Sequence, residues 1–111
     1  MECEEIRVDL RTIPHSADRQ RSAQLLFRLN HTLPFSEEYN ALLRELLGKN
    51  LGEGSTIAPP LSGAALDMLK IGRGVFANSN LLAMARGGIT IGDHARIAAN
   101  VQLLSNNHDP Y

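Results

Sequence analysis

The stretch from Ile71 to His108 constrains this chain more than any other. It reads IGRGVF ANSNLL AMARGGIT IGDHAR IAANVQ LLSNNH. Three consecutive hexads open at Ile91, Ile97 and Leu103, each on a branched aliphatic residue, with Ala95, Val101 and Asn107 at the fifth position. Ile71 and Ala77 open two earlier hexads, with Val75 and Leu81 fifth. A six-residue period matches neither the 3.6-residue helix nor the two-residue strand alternation. It marks a repeat architecture in which each hexad is one short strand and a turn. The aliphatic residue points into a narrow prism, and small residues such as Gly72, Gly92 and Ala98 let the backbone bend at the corners. One coil cannot bury its own apolar face, so coils must stack.

The period is interrupted once. Eight residues, Ala83 to Thr90, stand between Leu82 and Ile91 where six would fit, and they include Arg86, Gly87 and Gly88. The spacing predicts a bulge there, and a loop leaving a rigid scaffold is a common seat of function. With about 18 residues per turn, the coil region amounts to about three turns. Its last hexad runs into Ser105-Asn106-Asn107-His108-Asp109-Pro110, a polar turn cluster carrying a histidine.

Upstream of Gly54 the composition is charged and helical. Ser16 reads as the N-cap of a helix over 17–30, with Asp18 in its first turn and Ala23, Leu25, Leu26 and Leu29 as its apolar stripe. Ser36 caps a second helix, with Glu37 and Glu38 favoured by the helix dipole and Leu42, Leu43, Leu46 and Leu47 facing inward. Gly48 reads as its stop. The short link Leu33-Pro34-Phe35 makes the two helices an antiparallel pair. The division expected is a helical segment over 1–54 and a coil region over 55–111. Residues 1–16 carry an alternating Ile6, Val8, Leu10 pattern that suits a short strand or an arm.

Charge and composition narrow the partners. The formal net charge is −1 and no basic stripe exists, which argues against nucleic acid. Aromatic residues are 5% and Trp is absent, so no base-stacking platform is expected. No run approaches 18 apolar residues, and the acidic start MECEEI is unlike a signal peptide, so a cytoplasmic protein that does not enter membranes is expected. The single cysteine, Cys3, cannot form an intramolecular disulfide and reads as a bystander.

The segments LLFRLNHTLP (25–34), IAPPL (57–61), IGRGVFANSN (71–80), GGITIGDHARIAANVQL (87–103) and NNHDPY (106–111) resemble the maltose, galactoside and nodulation O-acetyltransferase family of hexapeptide-repeat enzymes. The resemblance covers most of the chain from Ser16 onward. It implies a mainly β protein: a left-handed parallel β-helix, assembled as a homotrimer, preceded by a small helical segment. It implies transfer of acetyl from acetyl-CoA to a sugar hydroxyl. The family's catalytic base falls on His108. The acceptor-lining asparagine falls on Asn78, the aromatic two residues before it on Phe76, and an acceptor-contacting arginine on Arg19. The sequence departs from the family where an acidic acceptor contact is replaced by Ala85-Arg86 and a polar position by Ala64. It also lacks the later coils that supply the coenzyme A groove in relatives, so an incomplete coil is expected and no cofactor-contacting residue is assigned.

Two other readings stay open on the residues alone. A β-helix module without catalysis would serve as an assembly or binding piece. A metal-dependent hydratase would need three imidazoles in a set geometry. His94 sits in a corner of one hexad, while His15 and His31 lie near helix ends, so no metal is expected. Asn78 and Asn80 flank Ser79 in a corner, where asparagine tolerates left-handed geometry or stacks as an amide ladder. Arg86, beside two glycines, reads either as an anion partner or as a solvated loop charge.

Overall fold

The computed structural model describes residues 16–105. Cys3, His15, His108 and Asp109, with the expected N-terminal arm, lie outside the described residues.

Two helices come first. Helix α1 spans Ser16–Asn30 and α2 spans Glu37–Leu47. The Ser36 side chain caps α2 by accepting from the Tyr39 N–H at 3.1 Å. Gly48 ends it at φ 59, with its N–H donating to the Arg44 carbonyl. All four leucines expected on the inner face of α2 are buried, together with Tyr39. On α1, Leu25 and Leu29 are buried and Leu26 is half-buried, but Ala23 is exposed. The α1 stripe is therefore narrower than its leucines and alanine imply. Phe27 also stays outside, stacked on His31 with ring centroids 4.1 Å apart. The His31 ring in turn bonds the Phe27 carbonyl at 2.7 Å, which settles one of the unpaired groups at the helix end.

The rest is a coil of short parallel strands. They are β1 (Thr56–Ile57), β2 (Leu61–Ala64), β3 (Leu69–Ile71), β4 (Phe76–Ala77), β5 (Leu81–Met84), β6 (Ile89–Ile91), β7 (Arg96–Ile97) and β8 (Gln102–Leu104). They form three sheets, ordered β1-β4-β7, β2-β5-β8 and β3-β6. Every pairing is parallel and offset by 20 residues, as in Thr56 with Phe76 and Phe76 with Arg96. Leu51 extends the third sheet by a bridge to Ile71.

That offset corrects the expected turn length. A turn holds 20 residues rather than about 18, because the eight-residue step belongs to every turn. Leu61 to Leu69 and Leu81 to Ile89 are the same step, one turn apart. In the first turn it hides in Gly63-Ala64-Ala65-Leu66, where Ala65 adopts φ 55 and a 3₁₀ turn covers Leu66–Met68. The glycine pair made only the second copy visible in the sequence.

The interior columns follow from the register. Ile57 stacks under Ala77 and Ile97, Leu61 under Leu81, and Leu69 under Ile89. Ile57, Leu61, Leu69 and Leu81 are fully buried. Burying each aliphatic side chain of this size contributes about 1.5–3 kcal/mol. These columns share one core with the inner faces of both helices. The turns approach so closely that Gly52 has no room for a side chain: a Cβ there would lie 2.2 Å from the Gly72 carbonyl oxygen. No helix among the described residues is long and apolar enough to cross a membrane.

Two side chains fasten the helices to the coil through three hydrogen bonds. The buried Tyr39 hydroxyl donates to the Ile57 carbonyl. Burial pushes its pKa up from 10.0 to about 12, since the phenolate would lose its solvation. The Asn30 amide clasps one peptide of β2: its Nδ2 donates to the Leu61 carbonyl at 2.8 Å and its Oδ1 accepts from the Leu61 N–H at 2.9 Å.

Tyr39→Phe should lower unfolding free energy by about 1–3 kcal/mol in urea titrations, because the Ile57 carbonyl loses its partner. The tyrosine's folded pKa is raised, so its contribution is complete below pH 10 and fades as pH rises through about 12. The phenylalanine variant should lack that alkaline loss. Gly52→Ala should cost about 1–3 kcal/mol in the same assay, because two stacked backbones must separate.

Candidate functional site

The corner after β4 presents the residues singled out by the sequence. β4 alternates, with Ala77 buried inward and Phe76 half-buried. Asn78 follows on the outward side and is exposed. Phe76 and Asn78, two residues apart, therefore lie on the outward side of β4 and of the residue that follows it. The Asn78 N–H donates to the Ile97 carbonyl at 2.9 Å and fixes the corner to the next turn. Its side-chain Oδ1 accepts from the N–H of the next residue, Ser79, at 2.7 Å, which sets the amide's direction. The amide nitrogen remains a donor for an acceptor molecule.

Asn80 and Asn100 occupy the same corner in successive turns. Both are left-handed, at φ 67 and φ 65, and the Asn80 Nδ2 donates to the Asn100 Oδ1 at 3.0 Å. The amide ladder expected for such corners is formed here by Asn80. It shares its corner with Asn78 but points its amide along the coil axis to the next turn.

The neighbouring corner carries charge. Gly54, Gly74 and His94 stand 20 residues apart, all left-handed, and the His94 ring lies so close over Gly74 that a Cβ there would sit 2.6 Å from Nδ1. Asp93 accepts from the Arg73 N–H at 2.9 Å. Arg96, in register with Phe76, folds back to donate to the Gly74 carbonyl at 2.7 Å. These contacts hold the corner shape. Among the described residues no three histidine, cysteine or acidic side chains converge as a metal site. Arg86 is exposed beside Gly87.

Arg19 is exposed on α1 and is not gathered with Phe76 and Asn78 by any hydrogen bond among the described residues. Asn30, eleven residues further along, is where α1 is tied to the coil. Arg19 therefore stands about 16 Å up the helix axis from that anchor. His108 lies outside the described residues. Asn30 itself, read from sequence only as the end of a helix, proves to be the residue that seats α1 on the coil. Its signal in the sequence is slight: a polar residue on the leucine side of a helix end.

This chain is similar in sequence and in structure to acetyltransferases, among them hexapeptide-repeat-containing ones. It is 33% identical over 91 residues to galactoside O-acetyltransferase of Escherichia coli (strain K12), covering 81% of this chain and 44% of that protein. It is 35% identical over 101 residues to nodulation protein L of Rhizobium leguminosarum bv. viciae, covering 85% of this chain and 53% of that protein. The chain thus spans about half the length of the curated relatives it matches. A crystal structure of a hexapeptide-repeat-containing acetyltransferase from Vibrio cholerae matches with TM-score 0.74 and 33% identity, over 82% of this chain and 51% of that one. The structure of such an acetyltransferase from Vibrio cholerae O1 biovar eltor, complexed with acetyl coenzyme A, matches with TM-score 0.71 and 29% identity, over 92% and 57%. No protein-family model matches the chain.

Asn30→Ala should release α1 from the coil. Both polar groups of the Leu61 peptide lose their partner, so a loss of about 2 kcal/mol is expected by denaturant titration. Limited proteolysis should then cut first within residues 16–35.

Proposed function

We propose that this chain is an acetyltransferase that moves acetyl from acetyl-CoA to a hydroxyl of a saccharide, on a left-handed parallel β-helix. The observation that carries the reading is the likeness, over 92% of the chain, to an acetyltransferase complexed with acetyl coenzyme A. The sugar hydroxyl follows from the similarity to galactoside O-acetyltransferase.

In this reading His108 is the general base. A neutral imidazole takes the proton of the sugar hydroxyl as its oxygen attacks the thioester carbonyl. The C–S bond then breaks, the thiolate leaves and takes up that proton, and the acetyl ester remains on the sugar. Asn78 holds the acceptor with its free amide donor, and Phe76 supplies an apolar surface for the sugar ring. Arg19 reaches the acceptor from the helical segment 1–54. The cytoplasm, where the donor is available, is the compartment this reading takes.

Assembly as a homotrimer belongs to the same proposal. The outward positions of the β2-β5-β8 sheet align Ala64 with Met84 and Leu104, and Leu82 stands beside them. Leu104 is 62% exposed. An apolar stripe crossing three turns of a sheet is a surface for other copies of the chain.

The test is thiol release from acetyl-CoA in the presence of a panel of mono- and disaccharides. Sugar-dependent release is expected. His108→Ala should reduce it by about 10²–10⁴-fold with the fold retained. Asn78→Ala should raise KM for the sugar. Absence of sugar-dependent release would leave the non-catalytic binding module as the function of this chain. Release that survives His108→Ala would remove the base assignment.

A further inference from the structure

A pocket of about 310 Å³ opens between α2 and the first turn of the coil, where Thr56 lies one turn below Phe76. Its walls include Phe35, Asn40, Leu43, Arg44, Ser55 and Thr56. Asn40 and Arg44 lie one helical turn apart on α2 and so face the same side. The Arg44 side chain makes no ion pair or hydrogen bond among the described residues. Its neighbour Glu45 is already engaged by Arg21 at 3.0 Å and leaves the guanidinium fork open. Leu43 and half-exposed Phe35, whose ring meets Tyr39 edge-on, give the pocket an apolar side.

The coil side carries the second observation. Ile57 of β1 points into the core, so its neighbour Thr56 points outward, and it lines the pocket with Asn40, Leu43 and Arg44 of α2. The Thr56 Oγ1 is buried and makes no hydrogen bond, alone among the buried side-chain oxygens and nitrogens of the described residues. Adjacent Ser55 is satisfied, donating to the Gly72 carbonyl at 2.6 Å and accepting from the Val75 N–H at 2.8 Å. A hydroxyl buried without a partner costs about 1–3 kcal/mol and calls for a ligand group or another reason to be kept.

We propose that this pocket binds a small organic monoanion: one carboxylate on a compact apolar body. Arg44 supplies the only positive charge among the described lining residues, which matches a single carboxylate in fork geometry. The Asn40 amide and the Thr56 hydroxyl add donors to the same oxygens, and Phe35 and Leu43 cover the body. None of these residues is given a part in the acetyl transfer proposed above, although Thr56 lies in register beneath Phe76, so the two readings are tested by separate variants.

The test is a ¹H–¹⁵N titration of the intact chain with benzoate, with benzamide as its uncharged counterpart. Saturable shifts are expected at the amides of Asn40, Arg44, Ser55 and Thr56. Benzamide should bind about tenfold more weakly, and Arg44→Gln should weaken benzoate by a similar factor. Thr56→Val should also weaken benzoate while leaving the melting temperature unchanged or higher. Equal binding of the two probes, unchanged affinity in Arg44→Gln, or no saturable shift at these amides would overturn the proposal. A lowered melting temperature in Thr56→Val would show that the hydroxyl serves the fold and remove it from the site.

Discussion

The parallel hydrogen bonds between residues 20 apart hold this molecule together and place everything else. They align each turn over the last, so that one side-chain choice recurs as a column. Aliphatic columns fill the prism, and Gly52 and Gly72 let the backbones of successive turns meet. The corners inherit the same alignment. Asn80 meets Asn100, and His94 covers Gly74, because the register sets each pair at the same corner one turn apart. A residue such as Asn78 is thereby held on a rigid edge, although its side chain is exposed. Its backbone is bonded to Ile97 and its amide is fixed by Ser79.

The helical segment contributes in a different currency. α2 brings a continuous leucine face, and its burial is the hydrophobic term that the short strands cannot supply alone. Direction comes from two polar fastenings, the Tyr39 hydroxyl on Ile57 and the Asn30 amide on Leu61. Apolar contact is tolerant of sliding, whereas a bidentate amide on one peptide is not. The same packing creates the pocket beside Thr56, since a round helix laid on a flat-sided coil leaves a gap along its edge.

Much of the fold was legible in the sequence. The hexad aliphatics, the Ser36 cap and the Gly48 stop each carry a local physical signal, and the structure uses each as expected. The turn length was not legible, because the long step of the first turn carries Asp67-Met68 where the second carries Gly87-Gly88. Ala65 accepts a left-handed φ of 55 that composition does not announce. Of the candidate site, the sequence singled out Asn78 and Phe76 through the resemblance alone, and their common outward side came from the structure. The sequence did not show the Asn30 clasp or the unpaired Thr56 hydroxyl, since both depend on which residues meet across about 20 to 30 positions of chain.

The 6-6-8 division of each turn restricts how such a chain can change its length. An added or lost residue within a turn shifts every later side chain against the columns beneath it, and aliphatic residues then stand where polar ones stood. Removal or duplication of a whole 20-residue block leaves each residue over an equivalent one. Relatives of this coil are therefore free to differ in height by complete storeys, while slack of one or two residues is confined to the corner at 65–68 and 85–88, outside the ladder.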